Sequence, residues 1–197
     1  MSVQIGGMEH QVTSGPLVSQ KVKPSTDFDA HYKWPVVLPH PGGHTEPETE
    51  HEKELLDDLH FRLRFAKDSA KQSQNKLPML REIEFLLQNG RFYSPRPLPK
   101  DLKPGKRHGC YSASQLHAAN AAEVTYVEGY GLLSIVHPHA WCIDAEGQVI
   151  DRTWTGQKGR PIGQAYFGVP LDRTYVAELL LVRGFGDAFL MPAAFVG

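Results

Sequence analysis

Cysteine is scarce in this chain: two residues, Cys110 and Cys142, in 197. One disulfide at most could join them, which excludes the disulfide-framed scaffolds of small secreted domains. No apolar run approaches the roughly 20 residues needed to cross a bilayer. The opening Met-Ser-Val-Gln-Ile-Gly-Gly-Met-Glu-His has neither the basic region nor the apolar stretch of a signal peptide. Neither sign of charge is in excess. With 21 Lys and Arg against 22 Asp and Glu the formal net charge is −1, so no general affinity for nucleic acid or an anionic membrane surface is expected. Gly105-Lys106 lacks the earlier glycine and the Ser/Thr of a phosphate-binding loop, and no internal repeat is visible. The expectation is a soluble, cytoplasmic protein that uses no cofactor and acts on neither nucleic acid nor membrane.

What is present divides the chain in two. Residues 1–45 are rich in Gly, Pro, Ser, Thr and His and have little periodicity, so they read as an irregular arm. Trp34 and several prolines in this arm suit it to wrapping a neighbouring subunit, which makes an oligomer one expectation. Residues 46–197 read as a single α+β domain. Leu55, Leu56, Leu59, Phe61, Leu63 and Phe65 recur within a charged stretch ending near Lys76, an amphipathic helix pattern. A second helix starts near Pro78 and stops at Asn89-Gly90. The prolines at 95, 97, 99 and 104 mark an extended loop, and a helix from about Tyr111 to Ala122 follows. Val124–Tyr130 is the first clear strand, and the turn at Ala145-Glu146-Gly147 joins two more. Pro170 or Asp172 opens a last helix running to about Val182. Helices first and an antiparallel sheet afterwards define the class.

Three residues have the local settings that a nucleophile, a base and an orienter need. Cys110 stands where a turn-rich stretch gives way to a helix, so unpaired N–H groups face its sulfur. Its neighbours Arg107, His108, Gly109 and Ser112 suit a polar site better than a core. His139 opens a strand and Asp151 closes the next one. With Gly147 left-handed in a three-residue loop, Asp144 pairs with Gln148 and Trp141 with Asp151. Asp151 is then the diagonal neighbour of His139 on one face. Asp144 competes with Asp151 but is explained by its turn. Cys142 sits mid-strand and reads as core. Trp141, His137 at the strand mouth, and Glu128 on the face of Tyr126 and Tyr130 are candidates for binding substrate. A charge buried mid-strand must be paired or functional, and a structural ion pair of Glu128 with Arg152 or Arg173 is the competing account.

In Gly109-Cys110-Tyr111-Ser112, His139-Ala140-Trp141 and Val149-Ile150-Asp151-Arg152-Thr153-Trp154, the chain resembles the transglutaminase-like branch of the papain-like cysteine enzymes. The resemblance covers roughly residues 105–155. It implies a papain-like core with a Cys110–His139–Asp151 triad that attacks an amide or similar acyl group. The enzyme would be a cysteine hydrolase (peptidase or amidase) or a transamidase, acting on a protein, peptide or small amide. Two departures stand out: His108 and Gly109 precede the cysteine where the family carries an aromatic, and no upstream Gln can be assigned to an oxyanion hole. They motivate an alternative, a catalytically idle binding or regulatory protein on the same fold. A further alternative is a metal enzyme using His137, His139, Asp151 and Cys110, although His-Pro-His alone is a weak signal in a chain with 10 histidines. No metal is expected.

Overall fold

The computed structural model describes residues 37–39, 42–72 and 78–190. Most of the expected arm, Trp34 included, and residues 191–197 of the tail lie outside the described residues. Among those described, the chain is α+β. In order, α1 spans Glu50–Gln72, α2 Pro78–Asn89, β1 Arg91–Tyr93, α3 Cys110–Asn120 and β2 Thr125–Leu132. Then follow β3 Val136–Ile143, β4 Val149–Ile150, β5 Ala165–Pro170 and α4 Arg173–Arg183. Among these residues no helix is long and apolar enough to cross a membrane.

Helix α1 begins with a reciprocal cap. The Thr49 hydroxyl accepts from Glu52 N–H at 3.2 Å, and the Glu52 carboxylate accepts from Thr49 N–H at 2.9 Å. Its buried stripe is Leu55, Leu59 and Ala66. Phe61 and Phe65, expected within that stripe, stack on each other in solvent instead. The helical period explains this: they lie two positions past Leu59 and one short of Ala66, on another face. Helix α2 adds Ile83 and Leu86, and Asp172 caps α4 by accepting from Thr174 and Tyr175 N–H.

The strands form one antiparallel sheet in the order β1-β5-β2-β3-β4. Strands β1 and β5 are additions to the three strands expected. Beside β1, His44 exchanges backbone hydrogen bonds with Phe92, and beyond the end of β5 Val37 bridges Leu171. Strand β3 begins at Val136, ahead of the start expected at His139, and runs through Pro138. The proline is tolerated because β4 pairs only with Ile143 and Cys142. The edge of β3 is open at Pro138, where no N–H is needed.

The two faces of the sheet differ. Tyr126, Tyr130, Ala140, Cys142, Phe167 and Val169 pack with helix residues into the larger core. The other face gathers Tyr93, Val127, Trp141, Ile143, Val149 and Tyr166, with Trp154 against them. Glycines make room there for two tryptophans. A Cβ on Gly168 would stand 2.7 Å from Trp141, and one on Gly131 would stand 2.5 Å from Trp154.

Candidate active site

The β3–β4 hairpin sets the site. Gly147 has φ 76°, the left-handed value that its loop needs. The Asp144 carboxylate accepts from Glu146 and Gln148 N–H, so this acid is used by the turn. Asp144 N–H bonds the Gln148 carbonyl, and Cys142 pairs with Ile150. Continuing that register by one residue places Asp151 opposite Trp141 and diagonal to His139. The imidazole Nε2 and Asp151 Oδ2 are 2.8 Å apart, with both residues buried.

Asp151 is the most heavily bonded acid of the site. Its Oδ2 also accepts from the Tyr166 hydroxyl at 2.8 Å. Its Oδ1 accepts from Thr153 N–H at 2.7 Å, Thr153 Oγ1–H at 2.8 Å and Trp154 N–H at 3.1 Å. Burial alone would raise its pKa, but His139 and these donors outweigh burial and hold it at about 2. For His139, burial pushes the pKa down. The Asp151 charge and hydrogen bond, with a contribution from Cys110, push harder and raise it to about 9. Near neutral pH the pair is therefore an imidazolium on a carboxylate. Trp154 clamps the ring from one side, its centroid 3.8 Å away and the planes 7° apart.

Cys110 is the first residue of α3. That helix lies along β3, fixed by the Ser114 hydroxyl donating to the Ala140 carbonyl at 3.0 Å and by the Cys142 thiol donating to the Ser114 carbonyl at 3.3 Å. Cys142 is thus a buried packing residue. Asp151 occupies Nε2, and the Cys110 side chain interacts with the same ring. The first N–H groups of α3 have no intrahelical acceptor. A cleft of about 450 Å³ opens over Cys110 and His139, with Arg107, His137, Trp154 and Arg160 among its lining residues.

The structure brings Cys110, His139 and Asp151 together and sets His137 on the cleft. It does not bring Glu128 or Trp141 there. Trp141 is fully buried behind His139, packed on Tyr93 and Tyr166. Glu128 is on the opposite face of β2. It accepts from Phe189 N–H, Leu190 N–H and the Tyr126 hydroxyl at 2.8–2.9 Å. Neither expected arginine pairs with it: Arg152 bonds the Lys103 carbonyl and Arg173 the Ala119 carbonyl. The strand's alternation separates Glu128 from the His139 face. Among the described residues, no three His, Cys, Asp or Glu side chains converge as a metal-binding group. Sequence reasoning overlooked Tyr166, Trp154 and Arg160. For Trp154 a partial signal existed, since an Asx-type turn at Asp151, accepting from Thr153 and Trp154 N–H, holds it next to the site. Compared with family models, curated proteins and solved structures, the chain finds no match. Functional inference therefore rests on the geometry.

Proposed function

We propose that this chain is a thiol-dependent acyl-transfer enzyme on a papain-like, transglutaminase-like core, with Cys110 as nucleophile, His139 as acid–base and Asp151 as orienter. The observation that carries the reading is the placement of one imidazole between a fully bonded carboxylate and a cysteine at a helix start, beneath an open cleft. A structural histidine needs one acceptor; this one has a carboxylate on Nε2, an interaction with the Cys110 side chain and a tryptophan stacked on its plane.

The Cys110 sulfur attacks the carbonyl carbon as its proton rests on His139. The first N–H groups of α3 stand ready for the negative oxygen, in a role the sequence had left without a candidate. His139 then protonates the leaving amine or alkoxide as the C–N or C–O bond breaks, leaving a thioester on Cys110. Water or an amine takes the acyl group next and returns the proton to the imidazole. The open cleft with its charged rim admits water, which favours hydrolysis over transamidation.

The test is alkylation of the full chain with iodoacetamide at mildly acidic pH, located by peptide mass, alongside turnover of amide and thioester substrates by wild type and Cys110→Ala. Selective modification of Cys110, faster than a free cysteine peptide, and turnover lost in Cys110→Ala are expected. Labelling no faster than the free peptide would overturn the reading.

A further inference from the structure

The cleft over the triad is cationic and holds no acid. Arg107 and Arg160 line it with His108 and His137, and no Asp or Glu is among its lining residues. Asp151 lies beneath, buried and bonded to His139. Neither arginine has an acidic partner among the described residues. Arg160 donates Nη1–H to the Gly105 carbonyl at 2.8 Å, a neutral acceptor that leaves its charge uncompensated. Arg107 is exposed. The chain as a whole carries −1, so the positive lining of this opening is not a reflection of the overall charge.

Elsewhere Arg62 meets Asp58 and Arg96 meets Asp144, while Arg152 and Arg173 hold backbone carbonyls; what sets Arg107 and Arg160 apart is their place on the opening over Cys110. Arg107, exposed, and Arg160, half-buried with one N–H on Gly105, both line this opening. A guanidinium presents paired N–H donors that match a carboxylate fork, and the aromatic face of Trp154 beside them supplies apolar contact. The opening, about 450 Å³, has the size of a site for a small molecule or a short peptide segment. Building on the acyl-transfer reading, we infer that the substrate of this site carries a carboxylate close to the scissile carbonyl, and that Arg107 and Arg160 select it over neutral and cationic analogues. The arginines hold the substrate; the bonds made and broken are those already described at Cys110.

Two alkylating reagents that differ by one negative charge test this on the full chain. Iodoacetate and iodoacetamide each form an S–C bond to Cys110 and release iodide, and their rate ratio cancels any change in the nucleophile itself. In the wild type the ratio should exceed that of a free cysteine peptide. It should fall roughly three- to ten-fold for each arginine removed, in Arg107→Gln and Arg160→Gln, and shrink in high salt. Arg160→Lys retains the charge and should retain most of the preference, which covers the case that Arg160→Gln fails to fold. A Cys110 inert to both reagents refutes the acyl-transfer reading and the inference with it. A reactive Cys110 whose ratio ignores both arginines refutes the inference alone.

A substrate panel then separates the sources of the carboxylate. Matched peptide amides compare Glu with Gln beside the scissile bond, and a free with an amidated C-terminus. A higher kcat/KM for either acidic form, lost in Arg107→Gln, supports the inference. Equal rates for all four overturn it.

Discussion

Asp151 shows how much one carboxylate can be asked to do. Five donors converge on it, so its replacement should cost both folding and activity. With Asn in its place the amide can still meet the ring but favours the wrong tautomer, and turnover should fall roughly 10³- to 10⁴-fold, as in the serine triad. The loss of the charge should also destabilise the fold by about 2 kcal/mol, the worth of a carboxylate held from 3.8 down to about 2. The pair also ties stability to pH. The Asp151 contribution is present above its free value of 3.8 and lost as pH falls through about 2. The His139 contribution is complete below its free value of 6.5 and lost as pH rises through about 9. Thermal melts should therefore show wild type losing stability between pH 6.5 and 9, a slope that Asp151→Asn makes shallower because burial then drives the imidazole neutral, leaving the part that Glu82 and Glu128 contribute. The same alkaline slope in both proteins would sink this account.

Between elements, two contacts repay direct tests. Strand β2 keeps glycine at position 131 because Trp154, which plates His139, lies over it. Gly131→Ala should push that ring away, lowering turnover at least ten-fold while costing about 1–3 kcal/mol of stability; turnover per folded molecule read beside the melting temperature separates the two effects. On the other face, helix α2 buries Glu82, whose Oε2 has no hydrogen-bond partner. Burial, and then the nearby Glu128, raise its pKa from 4.5 to about 8. A carboxyl whose folded pKa is raised stabilises the fold below its free value and loses that contribution as pH rises through the folded one. Glu82→Gln should therefore raise the melting temperature by several degrees at pH 9 relative to wild type and by little near pH 4, a comparison calorimetry can make. A variant no more stable than wild type at pH 9 would contradict the proposed burial cost.

At the scale of the whole molecule, buried polar side chains tie the segment after α4 back to the sheet and to the helix that carries Cys110. Glu128 accepts from Phe189 and Leu190 N–H. Gln115 of α3 accepts from Gly186 N–H at 2.8 Å and donates to the Asp187 carbonyl at 2.7 Å. Glu128 accordingly serves as an anchor. Its partners account for a pKa near 7: burial pushes the carboxyl up, and the two N–H groups with the Tyr126 hydroxyl hold it back. In Glu128→Leu two buried N–H groups lose their acceptor, at a cost of about 2–5 kcal/mol. Amide exchange at Phe189 and Leu190 should then quicken at least ten-fold while the Phe167 amide changes less. Uniform quickening across the sheet would mean global loosening instead.

The sequence by itself determined the α+β class, the helices around 50–72, 78–89, 110–120 and 173–183, and the hairpin whose register sets Asp151 beside His139. Local physics suffices for most of this: apolar spacing for the helices, Asp172 as a cap, and a loop with Gly147 that permits the register which the Cys142–Ile150 pairing then selects over a one-residue shift. Only the tertiary structure decided what those elements meet. Strand β1 has three residues and β5 is interrupted by Gly168, so neither carries an alternation long enough to read alone; each exists because a partner strand satisfies its backbone. The same holds for Phe61, Glu128 and Trp141, whose surroundings are chosen by residues far away in the chain. Local sequence fixes a residue's φ, ψ and face. What lies across that face, and whether water reaches it, is set by contacts between segments that no local pattern encodes.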